Sequence, residues 1–148
     1  MKIIELLSDK NKDYYLNKLK ECQWWAAKYL YNWIVEEKME EMFGENPRVF
    51  LLVEEEIISF CTYVHQDEIH DPSMYPWIGF VYTYPKHRGH HHFKKLLDHI
   101  VEIAKMENHK QIFLSTNETS LYEKYGFDYY KNMKDFTGND SRIYIFKI

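Results

Sequence analysis

The stretch Pro85-Lys86-His87-Arg88-Gly89-His90-His91-His92-Phe93-Lys94-Lys95-Leu96-Leu97 decides how this chain reads. Before it runs an apolar segment, Trp77–Tyr84. After it, Phe93, Leu96, Leu97, Ile100, Val101 and Ala104 recur at spacings of three and four, the apolar stripe of an amphipathic helix. A strand that enters a helix through a basic, glycine-containing turn gathers unpaired backbone N–H groups at one point. That point carries the positive end of the helix dipole and suits a phosphate-bearing ligand.

Downstream, Gln111–Thr116 reads as a strand, so strand, helix and strand make a parallel pair with a right-handed crossover. A short helix over residues 120–125 is predicted to end at Gly126 in a left-handed cap, and Ser120-Leu121-Tyr122-Glu123 fits a capping box. Residues 127–133 and 142–147 form a last strand pair across a polar loop. Upstream, residues 2–7 suggest a first strand. Residues 13–43 have helical periodicity, with a break at 21–23 and a stop at Gly44 and Pro47. Val49–Val53 and Ile57–Val64 read as a hairpin closed by Glu54-Glu55-Glu56, and residues 65–76 are polar and turn-rich. The unbroken apolarity of Trp77–Tyr84 predicts a strand buried on both faces. The sum is an α/β fold: one domain over residues 1–148, with a mixed central sheet and helices on both faces.

Composition narrows the function. With 45% apolar and 28% charged residues the chain is globular, and a net charge of −4 argues against nucleic acid as partner. Cys22 and Cys61 are widely spaced and read as reduced thiols of a cytoplasmic protein. The N-terminal residues lack a signal-peptide pattern, and no apolar run reaches membrane-spanning length.

Two segments resemble the GNAT superfamily of acyl-CoA-dependent N-acetyltransferases. The stretch Pro85–Leu97 resembles its pyrophosphate-binding motif, an Arg or Gln followed by Gly-x-Gly-x-Gly/Ala at a helix start. Leu121-Tyr122-Glu123-Lys124-Tyr125-Gly126-Phe127 is similar to its second signature, and the order of elements agrees over nearly the whole chain. Arg88 and Gly89 match the first motif, whereas His91 and Phe93 stand where small residues are usual.

The resemblance implies acetyl transfer from acetyl-CoA to a primary amine of a small molecule or peptide, with acetyl-CoA as co-substrate and no metal. The alternative, motivated by His91 and Phe93, is a non-catalytic acyl-CoA-binding or regulatory domain of the same fold. Backbone N–H groups of Gly89, His90, His91, His92, Phe93 and Lys94, with the Arg88 guanidinium, would grip the pyrophosphate. Val81, Tyr82 and Thr83 would bond the pantetheine arm, and the Val81 N–H would face the developing oxyanion. Tyr122 would be the general acid, protonated at neutral pH with an ordinary pKa near ~10. Asn117 reads either as a contact to the cofactor arm or as a helix cap.

No single general base stands out among His65, Glu68, His70 and Asp71, and an acceptor that binds as a neutral amine needs none. Successive helical side chains point about 100° apart, so His90, His91 and His92 do not converge on one ion. Partly protonated histidines beside phosphates account for them more economically than a metal. Cys61, with Tyr63 and His65 on one strand face, lacks the orienting third group of a nucleophile. Trp24, Trp25, Tyr29 and Trp33 form an aromatic stripe that either packs on the sheet or borders the acceptor groove. A homodimer is compatible with the chain; a membrane partner is not expected.

Overall fold

The computed structural model describes residues 1–148. Strand β1 (Lys2–Glu5) leads through a 3-10 turn (Leu6–Ser8) to helices α1 (Lys12–Lys20), α2 (Trp25–Val35) and α3 (Met39–Phe43). Strands β2 (Arg48–Val53), β3 (Ile57–Val64) and β4 (Trp77–Thr83) follow, then α4 (Phe93–Met106) and β5 (Gln111–Thr116). A 3-10 turn (Tyr122–Tyr125) precedes β6 (Asp128–Lys134) and β7 (Asp140–Lys147). All seven strands share one mixed sheet in the order β1-β2-β3-β4-β5-β7-β6. No helix is long and apolar enough to cross a membrane.

The two sheet faces bury different residues, as the period-two alternation of strands requires. Helices α1 to α3 cover one face, where Leu30 and Ile34 meet Leu51, Phe60, Trp77 and Phe113. On the other face α4 buries Phe93, Leu96, Leu97, Ile100 and Ala104 against Ile58, Cys61, Ile78, Leu114 and Tyr144. The stripe predicted for α4 is therefore its core face, with Val101 at the margin.

Several expectations need correction. The first strand stops at Glu5, because Leu6–Ser8 turn into a 3-10 helix whose Ser8 N–H donates to the Glu5 carboxylate at 2.8 Å. Residues 13–43 hold three helices rather than two; Glu37 takes a left-handed φ of 57° and breaks the periodic run. The capping box does not form, since Ser120 sits at φ 62° and no side chain caps the 3-10 turn. Gly126 does close that turn, at φ 99°.

Strand β4 departs from expectation in the way that matters most. It runs parallel to β5, yet the pairing covers only Trp77↔Phe113 and Ile78↔Leu114. Against β3 its register slips between Thr62↔Gly79 and Phe60↔Tyr82, with Phe80 at φ 47°. Such a bulge adds a residue and bends the strand. Trp77 to Gly79 are buried, whereas Phe80 to Thr83 are only half-buried. The sheet is thus open between β4 and β5 past Ile78.

Candidate active site

The turn into α4 has the main-chain geometry of an anion cradle. Gly89 and His91 take left-handed φ values of 86° and 56°, and His92 is right-handed helical. With that alternation, the N–H groups of Gly89, His90, His91, His92 and Phe93 donate to no backbone carbonyl, whereas Lys94 N–H bonds His91 O at 3.1 Å. Runs of N–H groups in such conformations form concave anion sites. The space beside Gly89 is open, with no atom within 4 Å of a Cβ built there. The cradle fits a pyrophosphate.

The two residues at small-residue positions leave the cradle clear. His91 is exposed and lies edge-on to Tyr125, with ring centroids 6.1 Å apart. Phe93 turns inward and meets Tyr122 and Tyr125 edge-to-face at 5.7 and 5.1 Å. His92 is buried, and its Nδ1 has no partner. Burial, then the charges of Lys95, His90 and His87, lower its pKa, which favours the neutral imidazole. His87 instead lies 3.1 Å from Glu56, which also pairs with Lys86 at 2.6 Å.

Arg88 is held from one side. Its Nε donates to Thr83 O at 2.8 Å and its guanidinium lies 5.3 Å from the Tyr82 ring centroid, while its terminal nitrogens make no bond. Tyr82 in turn stacks on Trp24 at 5.1 Å and an interplanar angle of 5°. The Tyr82 carbonyl accepts from Ser59 Oγ on the β3 side at 2.8 Å. By strand alternation the main-chain groups of Val81 and Thr83 face the other way, into the opening. Asn117 follows β5 with an exposed side chain that caps nothing, so the helix-cap alternative is excluded.

Tyr122 is buried beside Phe93 and Phe127 and packs in the core that includes Cys61. Burial, with smaller effects from Cys61, Glu118 and Tyr125, raises its pKa well above the ordinary tyrosine value. It therefore holds its proton throughout the neutral range. Burial likewise raises the Cys61 thiol, which leaves no thiolate to act as a nucleophile.

The aromatic stripe divides. Trp24 and Trp33 turn to the sheet, Trp33 meeting Phe43 and Phe80 edge-to-face at 5.6 and 6.1 Å, while Trp25 and Tyr29 are exposed. Of the expected base candidates, His65 stacks on Tyr75 and His70 on Phe136. Asp71 accepts from Ser73 N–H and Oγ at 2.9 and 2.6 Å within its own turn. Glu68 accepts from Ser115 Oγ at 2.5 Å. A residue outside that set stands closer to the opening. Asp67 lies against Gly79 of β4, and burial together with the Glu68 charge raises its pKa to about 7. Its one trace in the sequence is an acidic pair in the polar loop before β4.

No curated protein matches the chain in sequence. An acetyltransferase from Streptococcus agalactiae is 22% identical, with a TM-score of 0.68 over 99% of this chain and 98% of that one. The aminoglycoside 6′-N-acetyltransferase from Enterococcus faecium is 14% identical, with a TM-score of 0.69 over 99% and 97%. A GNAT family acetyltransferase from Elizabethkingia anophelis, solved with acetyl-CoA bound, is 17% identical, with a TM-score of 0.66 over 99% and 97%. These likenesses show a shared fold. Residues 6–127 match the model of the acetyltransferase (GNAT) family, and the chain belongs to that family.

Proposed function

We propose that the protein transfers the acetyl group of acetyl-CoA to a primary amine. The observation that carries this reading is the run of free N–H groups from Gly89 to Phe93, joined through the Phe93 ring to a buried, protonated tyrosine. Acetyl-CoA supplies the activated thioester. Residues 89–93 and the free end of the Arg88 guanidinium hold its phosphates, each favourable charge at a helix start contributing about 0.3–1 kcal/mol. Val81 and Thr83 present main-chain groups to the pantetheine arm, and the Val81 N–H donates to the carbonyl oxygen as it gains charge. Asn117 offers its free amide to the same arm. Tyr122 protonates the leaving thiolate.

A small-molecule acceptor is favoured by the aminoglycoside acetyltransferase from Enterococcus faecium among the structural neighbours. A panel of amines incubated with acetyl-CoA, with release of free thiol followed, tests the reading. Turnover with at least one amine, and its loss in Tyr122→Phe, is expected. Acetyl-CoA binding with no turnover on any amine contradicts it.

A further inference from the structure

The loop between β3 and β4 lays two carboxylates across the place where β4 and β5 part. Pairing ends at Ile78↔Leu114, so the next residues of the two strands are Gly79 and Ser115. Asp67 covers the first: a Cβ on Gly79 would lie 2.9 Å from its Oδ1. Glu68 covers the second, accepting from Ser115 Oγ at 2.5 Å and from Ser141 Oγ at 3.5 Å. The backbone carbonyl of Glu68 also accepts from Phe136 N–H at 2.9 Å, which ties the loop to the β6–β7 turn.

Both carboxylates lie on the face covered by α1 to α3. Trp77 and Phe113, two residues earlier on their strands, pack in that core, and side chains two apart share a face. Tyr122 and Phe93 belong to the core on the opposite face. The opening therefore has a proton donor on one side and carboxylates on the other, as a reaction between ligands arriving from opposite faces requires.

The two carboxylates are not equivalent. Glu68 is held by hydroxyl donors, whereas no side chain donates to Asp67. Burial raises the Asp67 pKa, Glu68 adds to the rise, and a main-chain hydrogen bond at Glu68 opposes it, with a result of about 7. No other charge acts on it; the facing residues of β4 and β5, Gly79, Phe80 and Ser115, are uncharged. A carboxylate poised near neutrality and without a side-chain donor is suited to taking up a proton. On the same face Phe80, Trp33 and Phe43 meet edge-to-face at 5.6 to 6.1 Å, and aromatic rings of this kind attract cations.

We propose that Asp67 is the general base for a cationic amine entering from the α1–α3 face, with Glu68 holding the ammonium beside it. This rests on the transferase reading above. The Asp67 carboxylate forms an O–H bond as one ammonium N–H bond breaks. The freed lone pair bonds to the thioester carbon, the C–S bond breaks, and the thiolate takes the Tyr122 proton. The surplus proton on nitrogen passes to water, Asp67 releases its proton to solvent, and the Tyr122 phenolate regains one. The net products are the amide, the free thiol and one proton.

Asp67→Asn, Glu68→Gln and Gly79→Ala test this with acetyl-CoA and two cationic amines, kanamycin and spermidine. In wild type, kcat/KM rises with pH through about 7, the value at which Asp67 ionises. Asp67→Asn is expected to lose that rise and about 10²-fold or more in kcat. Its affinity for acetyl-CoA, read by calorimetry, stays unchanged. Glu68→Gln raises KM with little loss of kcat. Gly79→Ala displaces the Asp67 carboxylate and lowers kcat without lowering Tm.

A stability readout is independent of turnover. The raised pKa favours the protonated carboxyl in the folded state. Its contribution is full below the ordinary carboxylate value and is lost as pH rises through about 7. Asn does not ionise, so Asp67→Asn gains Tm over wild type at pH 8 and not at pH 4. An active wild type whose Asp67→Asn variant keeps its kcat and pH profile overturns the proposal alone. A wild type that binds acetyl-CoA and acetylates neither these amines nor any of the wider panel overturns the transferase reading and the proposal together.

Discussion

Phe93 and Tyr122 meet edge-to-face with ring centroids 5.7 Å apart and planes at 83°. One is the first residue of α4, at the end of the cradle; the other is the buried phenol at the start of the 3-10 turn. The contact fixes the distance between the proposed phosphate cradle and the proposed proton donor. A phenylalanine at a position that is usually small thus has a positional use, because its ring goes into the core and its N–H stays free.

Phe93→Leu keeps an apolar side chain but removes that edge-to-face contact. A loss of about 1 kcal/mol in stability is expected, typical of a core swap that changes shape more than polarity. Denaturant unfolding measures it. kcat is expected to fall while affinity for acetyl-CoA is kept, because the N–H of residue 93 remains.

Tyr122→Phe separates chemistry from packing. The hydroxyl makes no hydrogen bond within the protein, so its removal leaves the ring contacts with Phe93 and Phe127 intact. A fall of about 10²-fold or more in kcat is expected, the usual range for loss of a general acid. Tm and the affinity for acetyl-CoA should change little.

His91 adopts a φ of 56°, a conformation that costs a residue with a side chain about 1–2 kcal/mol. His91→Gly is expected to leave stability equal or slightly higher and acetyl-CoA affinity at least as high. His91→Val, whose β-branch resists that φ, should lose about 1–2 kcal/mol and weaken binding. Thermal melts with and without acetyl-CoA distinguish the two.

Arg88→Ala removes two unpartnered N–H-bearing nitrogens at the cradle rim. Acetyl-CoA affinity is expected to fall about tenfold, in line with one charge-assisted contact of about 1.5 kcal/mol. The loss should shrink as salt rises, which calorimetry at two ionic strengths reads directly. Trp24 and Tyr82 stay stacked, so Tm is little changed.

Much of this was legible in local sequence. The α4 stripe, the β2–β3 hairpin, β5 and the Gly126 cap depend on residues within a turn or two of each other, and periodicity reports them. What escaped depends on distance. Glu37 and Ser120 take left-handed conformations that their residue types do not announce. The bulge at Phe80 arises from register against β3. Asp67 is placed by a loop tied to Ser115, Ser141 and Phe136, at separations of 47 to 73 residues. Trp24 and Trp33 point inward because Tyr82, Phe80 and Phe43 provide rings there, whereas Trp25, one residue from Trp24, meets the exposed Tyr29 at the surface.

Titration of acetyl-CoA into ¹⁵N-labelled protein, with the backbone amide signals of residues 89–93 followed, bears most directly on how the coenzyme is held. Saturable shifts that are largest at these amides, together with Val81, are the expected result. Saturable binding that leaves the signals of residues 89–93 unmoved contradicts the phosphate-cradle assignment and the transferase reading built on it.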